Sequence, residues 1–277
     1  MLGRSSIGLF AVALWLLAAP SGVLAHDESK YPDLRGQWSR VGPPRWLARG
    51  EKAPLTPEYQ KIYDENLADM KAGGPGNWPS SYCFPQGMPA MMNLFDPMEI
   101  IVTPETTYIL ISHINDSFRR IYTDGRDWPK EDEVEATFAG YSIGKWADTD
   151  GDGKYDVLEV ETRYFKGPRA FESTGLPLHS DNKSIIKERI YLDKGERGVL
   201  WDDITVIDNA LAQPWTLHKK AVRSKEQRPV WYYEVCEEGN QILKIGEHSY
   251  YLSADGYLMP SKKGQPAPDL RFFKTNP

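Results

Sequence analysis

Short segments in which apolar and polar residues alternate fill most of the chain after residue 97. Turn-forming pairs such as Pro104-Glu105 and Asp124-Gly125 separate these segments. Alternation with a period of two marks strands that bury one face, and turns at this spacing favour antiparallel neighbours. The sequence therefore predicts an all-β protein built as an antiparallel β-barrel, with a sandwich or a mixed sheet as the alternative. The predicted strands are residues 98–103, 107–113, 118–123, 141–146, 157–164, 185–192, 200–208, 215–222 and 230–236.

One short helix is predicted before these strands. Thr56 can cap it, Pro57 suits its first turn, and the helical pattern continues over residues 59–70 until Gly73. The segment that begins at Asp255 is rich in Pro, Gly and Lys, so it is expected to cross the surface without regular structure.

The first 25 residues have the pattern of a secretory signal peptide. Arg4 supplies the positive start, residues 7–17 form a short apolar run, and small residues precede a cleavage point after Ala25. The alternative is an uncleaved membrane anchor. We expect residues 1–25 to be removed and residues 26–277 to form a single β-rich domain, with no transmembrane segment after signal cleavage. The protein is then periplasmic or secreted.

Cys83 and Cys236 are the two cysteines of the chain. In an oxidising compartment such a pair most simply forms one disulfide bond. The alternative is two separate buried thiols.

Composition narrows the class of partner. Lys and Arg number 33 against 39 Asp and Glu, and this acidic balance argues against nucleic acid as a partner. The aromatic content of 12% and the apolar content of 40% argue against a disordered chain. The sequence contains no phosphate loop, dinucleotide fingerprint or HExxH motif.

Two resemblances add to this pattern. The run Leu34-Arg35-Gly36-Gln37-Trp38 contains a Gly-x-Trp that resembles the opening of lipocalin-like barrels, in which the Trp plugs the base of the barrel. The blocks RRIYTDGR, GYSIGKW, LEVET, LHSDN, KERIYL and PWT, followed by an E-x-C-E-E-G-N stretch, resemble an uncharacterised family of secreted bacterial proteins over most of residues 83–240. The second resemblance implies a fold and a compartment, and it implies no reaction.

Residues 148–159 read DTDGDGKYDVLE and match the calcium-loop pattern D-x-D-x-D-G-x5-E at every specified position. Oxygen atoms from alternate positions of such a loop surround the cation. Residues 157–161 alternate like a strand, which could turn Glu159 outward. Asp156 would then be the last ligand of the site. The alternative is an Asp/Gly-rich turn without metal. The predicted ligands of a structural Ca²⁺ are Asp148, Asp150, Asp152, Lys154 through its carbonyl, Asp156 and Glu159.

Glu188 is the most informative acid because its strand face is otherwise apolar. Ile186 and Ile190 share that face. A carboxylate there must pair with a cation, or its pKa rises and suits acid–base catalysis. The pairing alternative is a buried salt bridge to Arg119 or Arg120.

Other candidate site residues lie in the loop before that strand and on two earlier strands. His179 and Asp181 stand in a turn-rich loop and could act as a base and its orienting group. Arg120, Tyr122 and His113 are candidate ligand-binding residues. For each histidine the alternative is a structural hydrogen-bonding role.

Three functions fit these observations. The first is a calcium-binding β-barrel whose aromatic interior holds an apolar or aromatic small molecule. The second is a lyase, isomerase or hydrolase without organic cofactor that uses His179, Asp181 and Glu188. The third is a structural envelope protein held by the disulfide and calcium.

Overall fold

The computed structural model describes residues 27–42, 46–47, 51–93, 97–113, 117–232, 235–239 and 241–271. The predicted signal peptide lies outside these ranges. Within them, no helix combines the length and the hydropathy needed to cross a bilayer.

Nine strands form a closed barrel in sequence order, which confirms the predicted all-β barrel. The first strand closes it by pairing with both the second and the ninth. Neighbours are antiparallel except for the fourth and fifth strands, which are parallel over a short stretch. The strands are β1 Gln37–Arg40, β2 Met98–Val102, β3 Thr106–Ile111, β4 Ser117–Tyr122, β5 Tyr141–Ala147, β6 Val157–Arg163, β7 Ile185–Leu192, β8 Val199–Ile207 and β9 Trp215–Arg223.

The segment that closes the barrel is the Gly-x-Trp segment and not the last predicted strand. Gly36 has a φ of +88°, which bends the chain into β1, and Trp38 is fully buried in the core. The prediction of a strand over residues 230–236 is wrong for the described residues 230–232 and 235–236, none of which belongs to a strand. Val230 and Tyr232 are 63% and 65% exposed, so these two side chains do not pack on a sheet face. A short helix, α2 Cys236–Gly239, begins where that strand should end.

A second, three-stranded antiparallel sheet follows the barrel. Its strands are β10 Ile242–Ile245, β11 His248–Leu252 and β12 Leu258–Pro260. The expectation of irregular structure after residue 255 is therefore wrong for β12. The short turn at Gly246, with a φ of +61°, joins β10 to β11.

The helix α1 Pro57–Lys71 confirms the predicted start and stop signals. The Thr56 side chain accepts a hydrogen bond from the Tyr59 amide at 3.4 Å. After the helix, Gly73 adopts a φ of +93°, a conformation that favours glycine. Lys262 Nζ lies 2.6 Å from Asp69 Oδ1, and this contact holds the chain after β12 against the end of α1.

The predicted disulfide between Cys83 and Cys236 is present. It joins the residue that follows the 3₁₀ helix Pro79–Tyr82 to the first residue of α2, across a sequence separation of 153 residues. In the chain-entropy model, closing a loop of this length stabilises the fold by about 5 kcal/mol through the unfolded state. The link fixes α2, which lies outside the barrel sheet, to the segment that precedes β2.

Candidate functional site in the barrel interior

A buried ion pair spans the inside of the barrel. Strand β4 points Arg119 inward, β7 points Glu188 inward, and both side chains are fully buried. Arg119 Nη1 donates to Glu188 Oε1 at 2.8 Å, and Nη2 contacts the second carboxylate oxygen. Thr162 and Ser142 accept the remaining hydrogen bonds of the guanidinium at 2.7 and 3.1 Å. The alternative of a buried salt bridge for Glu188 is confirmed, with Arg119 as its partner.

Arg120 lies on the opposite face of β4, because successive side chains of a strand point to opposite sides. Its guanidinium is exposed and lies over the Tyr122 and Tyr108 rings, 5.4 and 5.6 Å from their centroids. Arg120 and Tyr122 border an outer groove of about 500 Å³. His113 is half-buried and is the second residue after the end of β3. A ligand inside the barrel would therefore not meet Arg120.

His179 and Asp181 form a local pair in the loop before β7. His179 Nδ1 lies 2.9 Å from Asp181 Oδ1, and Asn209 Nδ2 donates to Asp181 Oδ2 at 2.6 Å. Burial alone would raise the pKa of Asp181, but the Lys183 amide, Asn209 and His179 lower it below its usual value. The loop thus holds Asp181 as an anion beside the imidazole.

The structure does not bring this pair together with Glu188. A cavity of about 920 Å³ touches Glu188, and its lining includes His218 but neither His179 nor Asp181. Both oxygens of Glu188 are engaged by Arg119. The arrangement therefore gives no support to a joint catalytic group of His179, Asp181 and Glu188.

The acidic loop gathers three of its predicted ligands. Single oxygens of Asp148, Asp150 and Asp152 lie within 4.8 Å of one another. Lys194 Nζ lies 2.7 Å from Asp150 Oδ2 and 3.3 Å from Asp156 Oδ2. A lysine ammonium therefore already neutralises part of the charge of this loop.

The last two acids of the loop pattern separate in the structure. Asp156 stays beside the loop and accepts the Thr149 amide at 2.8 Å. Glu159 points outward from β6, with Oε1 3.8 Å from Arg189 Nε. The carboxylate near the loop is consequently Asp156, as expected if the strand alternation turns Glu159 away. The Lys154 amide donates to Asp152 Oδ1 at 2.8 Å.

A small cavity of about 30 Å³ lies inside the barrel near the end of β1. A space of this size holds about two water molecules, so side chains fill most of the interior. Nine of the lining side chains are apolar: Trp38, Met91, Met92, Met98, Ile100, Ile111, Ile190, Leu200 and Ala221. The polar residues Arg40, Asn93, Asp202, Lys219 and Lys220 also line this space.

Asp202 is the unusual group of this cavity. It points inward from β8 and is 4% exposed, and neither carboxyl oxygen receives a hydrogen bond from the part of the chain that the structure describes. Burial, and then the neighbouring Glu188 carboxylate, raise the pKa of Asp202 well above its usual value, and Arg119 only partly opposes this. The protonated carboxyl is therefore favoured, and it can donate a hydrogen bond.

Asn93 and Lys219 complete the polar part of the site. Asn93 is buried, and among the described residues its Nδ2 has no acceptor. Lys219 stands directly opposite Asp202 in the β8–β9 register, and its Nζ lies 4.6 Å from the centroid of the Trp46 ring. Burial lowers the pKa of Lys219 to about 8. An acid and an amine with altered protonation thus face one apolar cavity.

The sequence signal for Asp202 resembles the signal for Glu188. Leu200, Ile204 and Val206 share its strand face, so its burial follows from the alternation. Lys219 likewise shares a face with Leu217 and Ala221.

Comparison of the chain with protein-family models, with curated proteins and with solved structures gives no match.

We expect Glu188→Gln to lower the free energy of unfolding by about 3 kcal/mol or more, because it leaves the Arg119 guanidinium buried without a counter-charge. Glu159→Gln removes a carboxylate from an exposed contact with Arg189, and its cost should stay below about 0.5 kcal/mol. Urea unfolding of both variants at pH 7 measures the difference. Equal midpoints for the two variants would contradict a structural role for the inner pair.

We expect Asp202→Asn to stabilise the protein increasingly as the pH rises above about 4. The raised pKa means that the native state binds more protons than the unfolded chain in this range, so Asp202 makes stability fall as the pH rises. Asn cannot titrate, and the variant should gain about 1 kcal/mol at pH 8. Denaturant unfolding from pH 4 to pH 8 tests this, and a constant difference between the proteins would contradict it.

Proposed function

We propose that the protein is an exported β-barrel that binds a small neutral molecule with an apolar body and one accepting oxygen. The observation that carries this proposal is the buried carboxyl of Asp202, which accepts no hydrogen bond from the described residues and lies in an apolar cavity. A buried polar group without a partner costs about 1–3 kcal/mol, so such groups are rare unless they have a use. The disulfide supports a periplasmic or secreted location, because disulfide bonds persist in oxidising compartments.

The polarity of the site selects the kind of ligand. A protonated Asp202 and the Nδ2 group of Asn93 are both donors, so they suit a carbonyl, hydroxyl or ether oxygen. The apolar lining suits an aliphatic or aromatic body. An anionic ligand would face Glu188 behind Asp202, and its charge would be disfavoured there.

The size of the cavity requires side chains to move when a ligand enters. Met91, Met92 and Met98 line it, and methionine is unbranched and adapts readily to new neighbours. Met91 and Met92 belong to the short 3₁₀ helix Ala90–Asn93, which also carries the Asn93 amide. Displacing these side chains would open space beside both polar anchors.

A second candidate function is a lyase, isomerase or hydrolase without organic cofactor. One observation supports it: His179 Nδ1 lies 2.9 Å from Asp181 Oδ1. The lowered pKa of Asp181 favours its ionised form, and the Asp181 amide donates to His179 Nδ1 at 3.1 Å, so both groups hold the imidazole in place. This site lies in a loop apart from Asp202, and substitutions can separate the two proposals.

We expect cyclohexanone to bind the purified protein and raise its melting temperature, whereas cyclohexane carboxylate should not. Asp202→Leu removes the donor and should weaken ketone binding about tenfold or more, since a hydrogen bond contributes about 1.5 kcal/mol. Ligand-observed NMR and thermal shift measure both effects.

Two matched variants control this experiment. Asp203→Asn changes the next residue, which faces outward and contacts His218, and His179→Ala removes the second candidate site. Both should bind the ketone as the unchanged protein does. Unaltered binding in Asp202→Leu, or no binding of the ketone by the unchanged protein, would refute the proposed site.

We also propose that the 148–156 loop binds Ca²⁺ as a structural ion. The three clustered carboxylates support this, while the Lys194 ammonium competes for Asp150 and Asp156. The hard carboxylate oxygens are the donors that Ca²⁺ prefers, so the residues fit the ion.

Calcium should therefore raise the melting temperature, and Asp150→Ala should abolish the increase. At a hundredfold excess over Kd the gain is about 2.7 kcal/mol. Lys194→Met removes the competing cation and should tighten calcium binding, whereas Lys187→Met on the outer face of β7 should not. Titration calorimetry measures both, and a Lys194→Met variant without calcium heat would rule the site out.

A further inference from the structure

Lys219 is placed to react with the ligand that the proposed site binds. It faces the barrel interior from β9, directly opposite Asp202 on β8. Residues in this position have Cβ atoms about 4.5–5.5 Å apart, so a group bound to Asp202 lies within reach of a lysine side chain. The same cavity therefore presents a donor for a carbonyl oxygen and an amine for the carbonyl carbon.

The surroundings of Lys219 favour a reactive amine. Burial and the neighbouring Arg40 lower the pKa of Lys219. The other charged neighbours, Glu172, Asp202 and Glu51, raise it. Burial is the largest influence, and it brings the pKa of Lys219 to about 8. A lysine in apolar surroundings with a lowered pKa is the usual amine of Schiff-base chemistry in proteins.

We infer that Lys219 captures a small aldehyde or ketone as an imine, with Asp202 as the proton donor. This inference rests on the proposed function, because it uses the same cavity and the same anchor. It narrows the ligand class from neutral oxygen-bearing molecules to carbonyl compounds.

The reaction balances without an oxidant or a reductant. The lone pair of Nζ forms the C–N bond while the π pair of the carbonyl moves to oxygen, which takes the proton of Asp202. A proton from nitrogen returns to the Asp202 carboxylate and is then given to the hydroxyl group. That group leaves as water when the C=N bond forms, and the last N–H proton restores the Asp202 carboxyl. The net change is amine plus carbonyl to imine plus water.

Reductive trapping tests this inference on the intact, disulfide-bonded protein. The protein is treated briefly with propanal and cyanoborohydride at pH 7, and peptide mapping measures propylation at each lysine. Lys187, which is exposed on the outer face of β7, serves as the internal reference. Lys219 should react at least about tenfold faster than Lys187, since each unit of pKa changes the neutral fraction about tenfold. Equal or slower labelling of Lys219 overturns the inference.

Two variants test the role of Asp202 as the proton donor. Asp202→Asn should slow labelling of Lys219 about tenfold or more, because it removes the proton donor, while labelling of Lys187 stays unchanged. Lys187→Arg should leave labelling of Lys219 as it is. A rate at Lys219 that does not respond to Asp202→Asn overturns the inference.

Comparison with ketone binding separates this inference from the proposed function. Ketone binding that depends on Asp202, together with no preferential trapping at Lys219, overturns the covalent step and leaves the binding site standing. Absence of both binding and trapping refutes the two together.

Discussion

The Arg119–Glu188 ion pair joins β4 to β7 across the inside of the barrel, and both side chains are fully buried. Buried charges have lost their hydrogen bonds to water and need protein groups in place of it. Besides Glu188, the Arg119 guanidinium donates to Thr162 on β6 and Ser142 on β5. A slip of one residue in either strand would move one charged side chain to the outer face. The other would then stay buried without a counter-charge. The pair therefore constrains the register of four neighbouring strands.

The proposed site follows from the charge balance of this pair. The single positive charge of Arg119 is committed to Glu188, so a second buried carboxyl beside them cannot ionise cheaply. Asp202 occupies that position, and its raised pKa favours the protonated form. The interior thus contains one acid that stabilises the fold and one that is left able to donate a hydrogen bond. The difference between them comes from the hydrogen-bond partners and not from the residue type.

Part of the site could be predicted from the sequence. Alternation alone shows that Glu188 and Asp202 face the interior, because the neighbours on their strand faces are apolar. Alternation cannot show which arginine reaches Glu188, since Arg119 and Arg120 are adjacent and only the closed barrel defines the inner side of β4. Nor does it show that Asn93 lines the same cavity as Asp202, because this depends on where the segment before β2 lies against the barrel.

Local signals determined the strands from β2 to β9, the capped start of α1 and the pairing of the two cysteines. These features depend on neighbours in sequence, on steric limits of the backbone, or on there being a single possible partner. The tertiary structure decided that Gln37–Arg40 closes the barrel, because closure requires a strand that can pair on both sides. It also decided the protonation of Asp202 and Lys219, because a pKa depends on burial and on charges from other strands, which no local pattern records.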